Sequence, residues 1–293
     1  MRYAAIDIGS NAIRLLIADI LPKGKTHTFK KNTLLRIPLR LGEDAFMHQR
    51  ISEEKAEQLI KTIFSFALLM DVYKVDDYMA CATSAMREAK NGPELVKKIF
   101  KTCNIKINIV EGQEEANIIY ASHIEQVLDQ DKNYLYIDVG GGSTELSVFS
   151  ATNLVASKSF DIGTIRILDK KVKPENWIHA KEWLKKITAN HPNLTAIGTG
   201  GNINKIYRLA NLKEGESLST KKFNQVSKQL QALTLEQRIV ELGLKPDRAD
   251  VIVPACEIYA NLFKWGNVKE TIVPSVGLVD GIIQLLIEKN LGN

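Results

Sequence analysis

The chain has 293 residues, of which 45% are hydrophobic and 25% charged, and a formal net charge of +5 at pH 7. This is the composition of a soluble globular protein with one large domain or two ordinary ones. No apolar run approaches the roughly 20 residues needed to span a bilayer, so no membrane association is expected, and the mild basicity suits an anionic substrate without calling for nucleic acid.

Three strands are predicted first, over 3–8, 13–20 and about 26–40. The basic stretch Lys23 to Lys31 between the second and third reads as a solvated hairpin rim. A helix then starts at Ser52, a good N-cap, with Glu53 and Glu54 in its first turn, where they suit the helix dipole. Ala56, Leu59, Ile60, Ile63, Phe64, Ala67 and Leu68 form its apolar stripe. A strand over 78–82, a helix opened by Pro93 and closed near Asn104, and a strand over 105–110 complete the first half. A helix over 114–128 and a polar turn over 129–133 lead into the second half.

There the order repeats: strands 134–139, 145–149 and 154–160, a helix over about 175–189, a strand over 195–198 and a helix from Asn202. A mostly helical insertion, about 222–265, precedes a strand over 270–273 and a helix over 276–289. The apolar face of the insertion, with Ile252, Ile258, Tyr259 and Phe263, reads mainly as core, and could also supply the surface of a homodimer. The expected fold class is α/β, with two like domains, each a mixed five-stranded sheet with helices, facing across a cleft. The expected boundaries are 1–122 plus 280–293 for the first domain and 123–279 for the second. Cys81, Cys103 and Cys256 are scattered, with no Cys-x-x-Cys pair and no nearby His, so buried free thiols are expected rather than a soft-metal site. The chain starts directly on a strand without a signal peptide, and a cytoplasmic location is the default expectation.

The chemistry is expected in the loops after the strands. Asp7-Ile-Gly9-Ser10-Asn11 and Asp138-Val-Gly140-Gly141-Gly142-Ser143-Thr144 stand 131 positions apart and say nearly the same thing. Their small residues let backbone N–H groups approach phosphate oxygens, with hydroxyl donors from Ser10, Ser143 and Thr144. An Asp beside a phosphate repels it unless a divalent cation such as Mg²⁺ stands between them. A tight glycine turn can serve only to reverse a hairpin, but two matched copies make a phosphate grip the stronger reading. Gly198-Thr-Gly200-Gly201 follows a strand and opens a helix, which suits an anion or nucleotide, or simply tight strand–helix packing. Arg87, one turn beyond the strand at 78–82, could reach a phosphate bidentately or form a surface salt bridge. Glu111, Glu114 and Glu115 are either helix N-terminal charges or include a general base for water. The five histidines show no paired spacing and there is no Gly-x-Ser-x-Gly elbow, so a Ser or Cys nucleophile is poorly supported.

At these residues the sequence resembles the exopolyphosphatase / guanosine pentaphosphate phosphatase family, within the ribonuclease H-like, actin–hexokinase–Hsp70 ATPase superfamily. The segments that carry the resemblance are Ile6–Arg14, Ala82–Arg87, Gly112–Ala116, Ile137–Leu146, Ile197–Gly201 and Gly277–Gly281, in family order along the whole chain. The resemblance implies an actin-like ATPase fold in each half and removal of terminal phosphate from inorganic polyphosphate, guanosine pentaphosphate or both. It implies Glu115 as the catalytic base, with Asp138 and Glu145 as functional carboxylates. Asp7, Asp138 and Glu145 would serve Mg²⁺ or another divalent cation. Gly9, Ser10, Asn11, Arg87, the turn Gly140–Thr144, Gly200 and Gly201 would hold phosphates. Two departures stand out: Glu111 replaces the usual Ser, and Val279 the usual Arg. The sequence also carries no counterpart of the C-terminal helical domains of long relatives, which predicts a preference for short polyphosphates or guanosine pentaphosphate. Two other classes fit less well: a kinase of the same superfamily acting on a small acceptor, and a non-catalytic sensor of polyphosphate or guanosine tetraphosphate.

Overall fold

A computed structural model describes residues 1–121, 129, 131–150, 153–274 and 276–292. The chain divides into two compact units, Met1–Ile124 with Val276–Asn293, and Glu125–Ser275. The expected boundary at 122/123 lies outside the described residues.

The first unit opens with β1 (Arg2–Ile8), β2 (Ile13–Lys23) and β3 (Thr26–Ile37), followed by α1 (Leu41–His48) and α2 (Glu53–Val72). Then come β4 (Asp77–Ala82), α3 (Ser84–Glu88), α4 (Gly92–Cys103), β5 (Ile107–Ile109) and α5 (Gly112–Tyr120). The sheet order is β3-β2-β1-β4-β5, antiparallel through β3-β2-β1 and parallel through β1-β4-β5. Tyr3 to Ile8 are all buried, as a central strand covered on both faces requires. The third strand stops at Ile37 rather than near 40. Pro38 has no N–H to give a ladder, and Arg40 turns left-handed, φ 51°, to start α1. Only Ile107–Ile109 of the expected 105–110 strand are in β5, where they pair with β4. Of the helix expected over 114–128, α5 accounts for the part through Tyr120, and residues 122–128 lie outside the described residues.

The second unit contains β6 (Asn133–Val139), β7 (Thr144–Ser150), β8 (Asn153–Phe160), α6 (Thr164–Leu168), α7 (Pro174–Asn190), β9 (Leu194–Thr199) and α8 (Gly201–Leu209). After β10 (Leu218–Ser219) come α9 (Thr220–Ala232), α10 (Leu235–Val240), α11 (Pro246–Ala249), α12 (Ile252–Trp265) and β11 (Glu270–Ile272). The chain then returns to the first unit as α13 (Leu278–Leu291). The second sheet runs β10-β11-β9-β6-β7-β8. It has the connectivity of the first sheet plus a sixth, two-residue edge strand, too short to leave a periodic signature in the sequence. Ile252, Ile258, Tyr259 and Phe263 of α12 are buried in the core of this unit, where Phe263 packs edge-on against Phe223 at 5.0 Å. The apolar face of the insertion therefore belongs to the interior.

The duplication extends to irregularities. Each second hairpin carries a shift in register, between Ile17 and Ala18 in β2 and between Val148 and Phe149 in β7, again 131 positions apart. α1, α3 and α6 were not expected. At eight, five and five residues they are too short for a 3.6-residue period to show.

Candidate active site

In the first unit, Gly9 N–H bonds Ala12 O at 3.2 Å and closes the turn between β1 and β2. The carbonyls of Ser10 and Asn11 accept from the backbone N–H of Gly42 (2.9 Å) and Arg40 (3.1 Å), at the start of α1. In a trans peptide the next N–H points opposite to the carbonyl, so the amides of Asn11 and Ala12 face away from α1. The Ser10 and Ser84 hydroxyls meet at 2.8 Å, both buried. One donates to the other, so the pair keeps one O–H to offer elsewhere. Asp7 is 4% exposed, and Arg14 Nη1 lies 2.5 Å from its Oδ2.

Glu115 is 9% exposed in the first turn of α5, and its N–H bonds Glu111 O at 2.8 Å. Burial, then the charges of Asp7, Glu114 and Glu115, push the Cys81 thiol up to about 12. Cys81 is therefore no nucleophile, and it stands level with Asp7 on the neighbouring strand. Arg87 donates to Val110 O at 2.6 Å, with its Nε 3.8 Å from Glu111 Oε2. It braces the junction between β5 and α5 from which Glu115 projects. The Glu111 carboxylate is mostly solvent-exposed beside this guanidinium, which offsets the added charge. Val279, the other departure, is buried in the first turn of α13.

The second unit repeats the turn with more anchoring. Gly140 N–H bonds Ser143 O at 2.9 Å. Gly140 O accepts from Thr164 N (3.1 Å), Gly141 O from Ile165 N (2.9 Å) and Gly142 O from Arg166 Nε (2.6 Å). With three successive carbonyls docked on the start of α6, the amides of Gly141, Gly142 and Ser143 point the other way. Thr144 spends its only hydroxyl proton on Ile162 O at 2.5 Å, so it braces the turn rather than donating to a ligand.

Asp138, Glu145 and Ser159 are level with one another on β6, β7 and β8, and Thr199 of β9 is level with Asp138 on its other side. Glu145 is 2% exposed and accepts from Ser159 Oγ at 2.9 Å. Gly200 adopts φ +91°, and a Cβ there would stand 2.9 Å from Asp138 Oδ1. Burial first, and then the Asp138 charge, push the Tyr136 and Tyr259 phenols well above their ordinary value, so both stay neutral. Gly201 O accepts from Arg248 Nη1, and that guanidinium covers the Gly201 Cα.

A model of the Ppx/GppA phosphatase family matches residues 25–290. The chain belongs to the Ppx/GppA family. It is 34% identical over 196 residues to a bifunctional 3-dehydroquinate synthase/phosphatase of Fusobacterium nucleatum, covering 62% of this chain and 29% of that one. It is 25% identical over 302 residues to a guanosine-5'-triphosphate,3'-diphosphate pyrophosphatase of Aliivibrio fischeri, covering 98% and 59%. The chain thus spans well under two thirds of either relative. In fold it resembles an exopolyphosphatase of Cytophaga hutchinsonii, with a TM-score of 0.86, 24% identity, and 99% and 98% of the two chains covered.

Within this Ppx/GppA chain, the first unit brings together Asp7, Gly9, Ser10 and Asn11 at the turn between β1 and β2, and holds Glu115 in the first turn of α5. The second brings together Asp138, Glu145, the turn 140–144 and Gly200. Three contributors escaped the sequence reading as site residues: Arg14 beside Asp7, Gly163 under the Gly141–Gly142 backbone, and Arg248 over Gly201. Each acts through a contact with a residue distant in sequence, apart from Arg14, whose place in the Ile6–Arg14 segment was the available signal.

Proposed function

We propose that the protein is a phosphoanhydride hydrolase that removes terminal phosphate from inorganic polyphosphate or guanosine 5′-triphosphate 3′-diphosphate. The carrying observation is Glu115, a nearly buried carboxylate at the start of α5 in a Ppx/GppA chain. The resemblance to an exopolyphosphatase and to a guanosine pentaphosphate pyrophosphatase supports the substrate class. Anionic substrate and reducing, cytoplasmic conditions agree with the net charge and the free cysteines.

The residues fit a divalent cation in the second unit. Two carboxylates directly opposite on neighbouring strands repel, and Asp138 and Glu145 are such a pair, one of them buried. Among the described residues no cluster of three or more His, Cys, Asp or Glu side chains could hold a metal ion. A Mg²⁺ ion, which keeps several waters and binds through one or two carboxylates plus phosphate oxygens, suits such a pair. When bound, it would neutralise phosphate charge. Asp7 is already matched by Arg14, which argues for it as the partner of that arginine rather than a metal ligand.

The chain's own residues then divide the work. Taken unit by unit, the amides of Asn11 and Ala12 in the first, and those of Gly141, Gly142 and Ser143 in the second, are each suited to hold phosphate oxygens. Glu115 accepts the proton of the attacking water as its oxygen bonds to the terminal phosphorus. The bond from that phosphorus to the bridging oxygen breaks, and the electron pair leaves with the shortened phosphate chain. Positioning and charge stabilisation carry most of the rate, as in phosphoryl transfer generally. Glu115→Gln keeps the size and removes the base, and is expected to lower phosphate release by about 10²–10⁴-fold. A loss of less than about tenfold would remove Glu115 from that role. Measuring release from tripolyphosphate, long polyphosphate and the guanosine compound, with and without Mg²⁺ and with water as sole acceptor, tests the substrate class and separates hydrolysis from kinase activity.

A further inference from the structure

Asp7 and Asp138 occupy equivalent places in the two sheets but have different neighbours. Asp7 stands opposite Arg14 on β2 and Cys81 on β4, whereas Asp138 stands opposite Glu145 on β7 and Thr199 on β9. Two residues earlier, on the same face of the strand, the first unit has Ala5 and the second Tyr136. Arg14 holds Asp7 by an ion pair. The second unit has a carboxylate in the place of that arginine. It adds a hydrogen bond between the Tyr136 and Thr199 hydroxyls, which Ala5 and Cys81 cannot make.

This bond lies out of reach of bulk water, with Tyr136 3% and Thr199 1% exposed. Thr199 is held from a second side by the Tyr259 hydroxyl of α12, which lies 3.2 Å from Thr199 O and 3.4 Å from Ile137 O. Tyr259 thus fixes the Thr199–Gly200 peptide against β6, and Gly200 is where a Cβ would meet the Asp138 carboxylate. Burial keeps the Tyr136 phenol protonated. The two hydroxyls therefore carry two protons and use one in the bond between them. Buried hydroxyls are as a rule paired, so the other proton needs an acceptor within the protein. Asp138 lies directly opposite Thr199 on the same face, and an ionised carboxylate is an acceptor only.

We propose that Tyr136 is a positioning residue for Asp138. Through Thr199 it presents one buried hydroxyl proton to that carboxylate and fixes the rotamer in which Asp138 meets a divalent cation. This rests on the reading of Asp138 and Glu145 as the cation-holding pair, but not on turnover.

The test is Mn²⁺ binding to the full chain without phosphate, with free Mn²⁺ followed by electron paramagnetic resonance. Tyr136→Phe removes one hydroxyl and keeps the ring, and Thr199→Val removes the other at nearly equal volume. Each is expected to weaken Mn²⁺ binding about threefold to tenfold, the scale of one neutral hydrogen bond. The double variant should lose no more than either single one, because both act through the same bond. Thr199→Ser, which keeps the hydroxyl, should bind as wild type does. Ser147→Ala breaks the Ser147–Ser157 pair (2.9 Å), which is level with Tyr136 on the same face. It should lower the urea midpoint without changing Mn²⁺ affinity. With tripolyphosphate as substrate, Tyr136→Phe should raise the Mg²⁺ concentration for half-maximal release by the same factor and leave kcat at saturating metal within about twofold. Wild-type Mn²⁺ affinity in Tyr136→Phe, losses that multiply in the double variant, or an equal loss in Ser147→Ala overturns the inference alone. Wild type and Asp138→Asn binding alike, or neither binding, overturns the cation reading itself and this inference with it.

Discussion

Gly163 has no side chain because the backbone of the turn over residues 140–144 occupies that space. A Cβ there would stand 2.3 Å from Gly141 O and 2.4 Å from Gly142 C. Backbone cannot swing aside as a flexible side chain can, so Gly163→Ala must shift the turn or the start of α6. Overpacking of this kind costs about 1–3 kcal/mol, and the expected result is a lower urea midpoint with a raised KM for phosphate substrates. An unaltered KM would mean that the turn does not depend on this support. Residues of this sort mark the limit of what the sequence reveals. Gly140–Gly142 were legible because a run of glycines beside Asp138 announces a close approach. Gly163 lies 21 positions beyond Gly142 and is needed only because of where α6 docks. Thr144 was expected to offer its hydroxyl to a ligand, but its proton goes to Ile162 O, which depends on tertiary contact.

At the level of elements, the long periodic pieces were readable and the short ones that aim the turns were not. β1 and β6, α2 and α7 followed from apolar runs and periodicity. α1 and α6, which hold the turn carbonyls and so direct the amides outward, left no pattern in the sequence. The Asp138–Glu145 pair of the second unit and the Asp7–Arg14 ion pair of the first lead to a metal prediction. Asp138→Asn or Glu145→Gln should raise the Mg²⁺ concentration needed for half-maximal activity, whereas Asp7→Asn should weaken substrate binding with little change in metal requirement. An equal shift in Mg²⁺ requirement for Asp7→Asn would return Asp7 to the metal.

The start of α13 gives a pH prediction. Asp280 is 2% exposed, accepts from Gly277 N–H at 2.9 Å and meets Lys31 Nζ at 2.6 Å. Burial raises its pKa despite the opposing pull of Lys31. Between the ordinary carboxylate value and the raised one, the folded chain binds more protons than the unfolded chain, so this group's contribution to stability falls as pH rises. Asp280→Asn keeps the acceptor for Gly277 and removes the titration. Its stability relative to wild type should therefore improve as pH rises above the ordinary carboxylate value of about 4, measured by urea unfolding at several pH values. A pH-independent difference would show that the group does not titrate abnormally.

For the whole chain, the doubled strand-Asp-glycine pattern was enough to read a duplicated α/β fold, and the register shifts at matched positions show how far the repeat extends. The first unit is also discontinuous: its last helix, α13, arrives after the second unit and packs on β1, β2 and β4. Leu278, Val279, Ile282, Ile283, Leu286 and Ile287 are all buried there. At roughly 1.5–3 kcal/mol each, their burial is comparable to the whole stability of a typical domain, about 5–15 kcal/mol. Chain growth on the ribosome gives this arrangement a temporal meaning. The second unit can complete its core while translation continues, but the sheet made first must wait, with one face uncovered, until nearly the last residues of this sequence emerge. A nascent chain stalled before α13 should therefore show a protease-resistant second unit and a sensitive first one, the reverse of the order in which they were made.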